Sequence, residues 1–193
     1  CALPIWQVAA WGPLFPNNRD GKELVQALAN QIEKDSNINI HTSSQVLEKA
    51  GNVGEFNVKI QNSEGSITEI QVGAIIVATG FQRYKPAQNE FGYGLPGVVT
   101  LDEFRDILDN SGNGSIEYNG RPVNDISYIY CVGSRQRSDA EGTNFYCSRY
   151  CCTAAVHTAL LAGEKQNPLH QYHLFRDMRT YGRQELIYEE ALQ

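Results

Sequence analysis

The sequence predicts an α/β fold with a small antiparallel meander, and three stretches carry that prediction. Residues 55–61, EFNVKIQ, set Phe56, Val58 and Ile60 on alternate positions, as a strand with one buried face does. Residues 73–81, GAIIVATGF, are apolar at successive positions, the pattern of a strand covered on both faces in a parallel sheet. The last third reads strand, helix, strand, helix, which is half of a doubly wound unit.

The elements follow in chain order. The chain starts CALPIW, without methionine, and reads as an internal piece of a longer protein; CALPI matches a translated adapter end, so residues 1–5 are treated as non-native and Cys1 is given no role. In 20–34, Leu24, Val25, Leu28 and Ile32 fall at helical spacing behind Asp20, a capping residue. Strand-like segments follow at 38–42, 45–50, 55–61 and 66–72, with Gly51, Gly54 and Gly65 as punctuation, and the apolar strand 73–81 closes the series. The Gly- and Pro-rich stretch QRYKPAQNEFGYGLPG reads as a crossing loop. Residues 100–110 form a short helix with Thr100 as N-cap and Leu101, Phe104, Ile107 and Leu108 on its apolar face. Residues 111–125 read as a linker, followed by strand 126–132, a polar loop, helix 148–165, strand 170–177 and helix 183–193. The division this suggests is 1–99, holding the meander and the Ala-Thr-Gly strand, and 100–193, a nucleotide-domain-like α/β half.

Composition narrows the function. With 41% hydrophobic and 20% charged residues, the 193-residue chain is globular rather than disordered. A net charge of −6 argues against a general nucleic-acid partner, and no apolar run approaches the ~20 residues of a membrane span. Four of the five cysteines lie between 131 and 152, which fits a cytoplasmic metal or redox site better than a secreted disulfide framework.

In a common nucleotide-binding unit the first strand ends in a glycine-rich loop that seats a pyrophosphate. Here the strand ends YCVGSR, with one glycine, and Cys131 stands at that end. If the following helix begins near 148, Cys147 and Cys151 share a face and Cys152 lies ~100° round it, at 3.6 residues per turn. Four thiols converging on one volume suit a [4Fe–4S] cluster or tetrahedral zinc, and paired C-x2-4-C knuckles typical of zinc are absent. A redox disulfide pair and inert buried thiols stand as further alternatives. His157 shares a helix face with Thr153 and Leu161, Ala155 and Ala159 mark a close-packed face, and Arg176, Asp177 and Arg179 read as mutual surface pairs.

The meander leading into an apolar strand that ends in Ala78, Thr79 and Gly80 resembles the flavin-dependent reductases with two dinucleotide-binding domains. That resemblance implies that Thr79 and Gly80 lie beside FAD and that the backbone at Val46 meets the adenine. IIVATGF, EFGYG, VVTLDEFRDIL, YIYCVGSR, YCSRYCCTAAVHTAL and YHLFRDMRTYG together resemble the A-type subunits of heterodisulfide reductase over residues 20–193, with the spacing Cys-x15-Cys-x3-Cys-Cys the most specific part.

The family resemblance implies a thioredoxin-reductase-like FAD and iron–sulfur oxidoreductase subunit that passes electrons between FAD and [4Fe–4S] clusters, with flavin-based bifurcation as its most elaborate form. It implies Cys131, Cys147, Cys151 and Cys152 as ligands of one [4Fe–4S] cluster near the flavin, and a flavin-tuning role for His157, whose position is lysine in some members. The partners implied are the other subunits of such a complex, ferredoxin, and a hydrogenase or formate dehydrogenase module as electron donor. The upstream glycine fingerprint of the family is absent, so this stretch by itself is expected to bind neither FAD nor NAD(P) tightly and to be inactive alone. Two other classes stand beside this one: a zinc-stabilised interaction domain that moves no electrons, and an NAD(P)H-dependent FAD disulfide reductase.

Overall fold

The computed structural model describes residues 8, 13–14, 19–112, 114–137 and 142–193; Cys1 and residues 1–5 lie outside them. The chain divides into two units, the first ending at Gln82 and the second spanning Arg83–Gln193.

In the first unit, the two-residue strands β1 (Pro13–Leu14) and β2 (Arg19–Asp20) pair antiparallel and lead into α1 (Gly21–Lys34). Asp20 caps α1 as its sequence position predicts, accepting a hydrogen bond from the Glu23 N–H at 3.0 Å. Glu23 in the first turn and Lys34 in the last complement the helix dipole.

The predicted meander is present as β3 (Ser44–Ala50), β4 (Phe56–Asn62) and β5 (Ile67–Val72), antiparallel in the order β3-β4-β5. Val58 is buried while Phe56 and Ile60 on the same face are half-buried, so the alternation reads correctly. Across β3 and β4 the register slips between Val46 and Glu48, a bulge that bends the edge strand.

Two expected strands do not form. Residues 74–80 form no regular element, and Ile76 and Val77 are 90% and 79% exposed. A strand needs neighbours to take its N–H and C=O groups, and an apolar run needs layers to cover it; among the described residues neither is supplied. Residues 38–42 likewise stay irregular, with Ile38 and Ile40 exposed and Ile38 N–H turned back to the Asp35 carbonyl at 3.1 Å.

The second unit is built on a strand–helix–strand crossover. β8 (Asp125–Ile129) and β9 (His170–Leu174) are parallel, registered Asp125 to His170 through Ile129 to Leu174, and α3 (Cys151–Lys165) connects them. The tight packing comes from small residues: Ala155, Ala159 and Ala162 are buried against Tyr128, Tyr130 and Phe104. Tyr128 stacks on His173 at 4.8 Å between ring centres and meets Phe104 edge-on at 6.1 Å.

α2 (Leu101–Asn110) starts in a full capping box: the Thr100 side chain accepts from Glu103 N–H at 3.3 Å, and the Glu103 carboxylate accepts from Thr100 N–H at 2.6 Å. The segment expected to be a linker is part of this core. Ile116 is fully buried, and the short hairpin of β6 (Glu117–Tyr118) and β7 (Arg121–Pro122) follows it. Buried Gln166 holds the segment at both ends, accepting from Ile116 N–H and donating to the Val123 carbonyl, each at 2.7 Å. α4 (Glu185–Ala191), preceded by a 3-10 turn, packs on α3 through the region of Ile187, which is 1% exposed. Among the described residues no helix is long and apolar enough to cross a membrane.

Candidate metal centre

Past the end of β8 the backbone turns through left-handed conformations at Cys131 (φ 63°), Gly133 (φ 73°) and Arg135 (φ 52°). Side chains rarely adopt such angles unless the surroundings hold them there. Glycine is required at 133, because a Cβ there would lie 2.1 Å from Cγ of Tyr84, whose ring rests on this turn. The Tyr84 hydroxyl is itself anchored, donating to Glu90 Oε2 at 2.8 Å.

The polar excursion after the turn is clamped at its base. Arg135 N–H donates to the Tyr146 carbonyl at 2.9 Å and Gln136 N–H to the Asn144 carbonyl at 3.0 Å. The Asn144 side chain adds a bond to the Gly133 carbonyl at 3.0 Å. These rungs return the segment that ends in Cys147 to the turn that carries Cys131.

The helix start differs from the sequence expectation. α3 begins at Cys151 rather than 148, because Arg149 is left-handed (φ 56°) and Tyr150 departs from helical angles (φ −121°, ψ −44°). Cys147 therefore precedes the helix and shares no helical face with Cys151. Cys151 and Cys152 are instead its first two residues, at an N-terminus with no acidic residue in its first turn and no capping side chain on Tyr150. The Ser148 hydroxyl oxygen accepts from Tyr150 and Cys151 N–H, each at 3.4 Å, and the helix dipole at this end favours negative charge.

All four thiols are free; Cys131, Cys147 and Cys151 are half-buried, and Cys152 is 4% exposed. The Cys147 sulfur accepts from Arg149 N–H at 3.3 Å and is within hydrogen-bond reach of the Arg179 guanidinium. The Cys131 sulfur accepts from Arg135 Nη1 at 3.9 Å. Cys151, Cys131 and the Arg179 backbone all lie close enough to Cys152 to act on its thiol. Burial pushes the Cys152 thiol up from its ordinary pKa. Beneath the thiols the Tyr130 hydroxyl is hydrogen-bonded to His173 Nδ1 at 2.8 Å, and burial, with Cys152 and Cys151 nearby, pushes Tyr130 up as well.

Among the described residues no three His, Cys, Asp or Glu side chains are gathered at metal-binding distances. The donor chemistry fits a sulfur-seeking metal all the same. Four unbridged thiols lie on two segments clamped together, and two of the sulfurs already accept N–H bonds from cationic or backbone groups, as anionic thiolate ligands do.

The other predicted positions separate by unit. Val46 lies on the edge strand β3 and is 60% exposed, and Thr79 and Gly80 (φ 69°) are exposed in the irregular stretch of the first unit. His157 lies in the second unit on α3, half-buried, with Nε2 buried and without a hydrogen-bond partner. Burial, reinforced by Arg105, lowers its pKa, and Glu190 opposes the shift.

Sequence reading paired Asp177 with Arg179, and that pair is present at 2.5 Å. It missed Arg135, whose guanidinium also reaches Asp177 at 2.5 Å. Nothing local in the sequence links them, since they follow different strands of the parallel pair.

No protein-family model matches the chain. It is similar to an A-type iron-sulfur subunit, the one numbered 2, of the CoB–CoM heterodisulfide reductase of Methanopyrus kandleri, with 35% identity over 137 residues, covering 67% of this chain and 20% of the relative. It is similar to the A-type subunit of the H(2):CoB-CoM heterodisulfide,ferredoxin reductase of Methanothermobacter marburgensis, with 32% identity over 79% of this chain and 22% of the relative. A protein of Archaeoglobus profundus, named for its likeness to the same type of heterodisulfide reductase subunit, matches at 31% identity over 65% of this chain and 21% of its own length. The chain thus spans about a fifth of the length of these relatives.

Proposed function

The chain is similar in sequence to the A-type subunits of heterodisulfide reductase, and on that premise we propose that it is the cluster-bearing part of an FAD- and iron–sulfur-dependent electron-transfer subunit. Cys131, Cys147, Cys151 and Cys152 hold one [4Fe–4S] cluster. The observation that carries the reading is the placement of four free thiols on two clamped segments, two of them at a helix N-terminus. Bound there, the cluster supplies one-electron acceptance and donation. The chain's own part is to bring donors to the sulfurs: Arg149 N–H donates to Cys147 and the Arg135 guanidinium to Cys131.

FAD belongs to the same reading, in a fold with two dinucleotide-binding domains divided near residues 99 and 100. Val46 offers backbone on an open sheet edge, Thr79 and Gly80 form the turn beside the flavin, and His157 has an unpartnered buried ring nitrogen that suits a flavin acceptor. One relative's name joins heterodisulfide to ferredoxin, and we read the parent activity here as electron transfer toward both, by bifurcation, fed by a hydrogenase or formate dehydrogenase module.

Anaerobic reconstitution of the chain tests the cluster. About four iron and four sulfide per chain are expected, and serine at any of the four cysteines should reduce both sharply. Stoichiometric zinc without acid-labile sulfide would overturn the reading.

A further inference from the structure

Two arginines approach the candidate ligands from different parts of the fold. Arg135 follows β8 and donates to the Cys131 sulfur, and Arg179 follows β9 and reaches the Cys147 sulfur. Both are joined to one carboxylate, Asp177, each at 2.5 Å. A third arginine closes the same pair of turns, Arg176 Nη1 donating to the Arg135 carbonyl at 2.5 Å. The Arg135 side chain is only 17% exposed.

We propose that Asp177 ties Arg135 and Arg179 into a frame that presses two guanidinium groups against the Cys131 and Cys147 sulfurs, and that this frame sets the reduction potential of the cluster. The inference rests on the cluster reading above. A cubane on four thiolates is anionic and gains one more negative charge on reduction. Cations and N–H donors at the sulfurs therefore stabilise the reduced form more than the oxidised one. Asp177 is a positioning residue: alone its charge opposes reduction, but its two ion pairs fix both guanidinium groups in place. In Arg135 one nitrogen, Nη1, serves both the carboxylate and the Cys131 sulfur, so the ion pair fixes the sulfur donor itself; in Arg179 Nε takes the carboxylate and the other nitrogens of the fork stay available.

The test is a redox titration of the reconstituted chain, followed by EPR, with iron and sulfide counted on the same samples. Arg179→Gln and Arg135→Gln should each load the cluster and titrate at a more negative potential than wild type, and Arg179→Lys should return most of that shift. Asp177→Asn is the discriminating variant. Acting through space alone, loss of its negative charge would make the potential less negative; loss of the frame makes it more negative. Loaded variants that titrate with the wild type, or a positive shift in Asp177→Asn, would overturn the frame and leave the cluster reading intact. A wild-type chain without iron and sulfide would overturn the cluster reading instead. Should one Gln variant fail to load, the other carries the same comparison.

Discussion

Cys131 and Arg149 both sit at left-handed backbone angles, φ 63° and 56°, where side chains are uncommon. One opens the turn out of β8 and the other keeps the helix from starting before Cys151, so each bend helps decide where a thiol sits. The four sulfurs are not equivalent. Cys152 is buried and its thiol is pushed up by that burial, whereas Cys131, Cys147 and Cys151 are half-buried. Since the thiolate is the nucleophile, Cys152 in the metal-free chain should alkylate slowest of the four, by roughly tenfold or more in iodoacetamide near pH 8. Peptide mapping of a labelling time course measures this. Cys152 labelling as fast as Cys147 would mean that α3 does not bury its second residue.

α2 shows how far local chemistry goes in building an element. Its apolar face is short, and its start depends on the reciprocal bonds between Thr100 and Glu103; the Thr100 N–H, with lesser help from its hydroxyl and Tyr93, holds the Glu103 carboxyl below the usual range despite burial. Thr100→Ala removes one arm of the box and should cost about 1 kcal/mol in urea unfolding of the full chain, while Thr100→Ser should restore most of it. An unchanged midpoint in Thr100→Ala would show that packing of Phe104 and Leu108, not the cap, fixes this helix.

Each unit leaves apolar side chains in water: Ile76 and Val77 in the first, and Ile129, Tyr172 and Leu174 on the open face of the parallel pair in the second. The second unit also carries a built-in acid sensitivity. Burial lowers the pKa of His173, and burial, with Arg105, lowers that of His157, from an ordinary value of 6.5. Between that value and the folded ones the unfolded chain binds more protons than the native one, so stability is full above about pH 6.5 and falls as pH falls through this window. The urea midpoint should therefore drop from pH 7.5 to pH 5.5, and His157→Gln should flatten the slope. A midpoint that rises on acidification would show that the rings gain protons on folding.

What the sequence determined by itself is whatever depends on neighbours along the chain. The cap at Asp20, the capping box at Thr100, the alternation of β4 and the strand–helix–strand order of the second unit were all legible, because propensity, capping and periodicity act over a few residues. Tertiary structure decided the rest. GAIIVATGF has the composition of a buried strand but forms none, since pairing needs partners that composition does not contain. Residues 111–125 look polar and loose, yet Ile116 and its bond to Gln166 place them in the core. The cysteines were visible as a spacing, but the hairpin rungs that return Cys147 toward Cys131, and the ion pairs joining Arg135 to Asp177 and Arg179, link residues far apart in the chain. Only the parallel pairing of β8 with β9 sets their two following turns side by side.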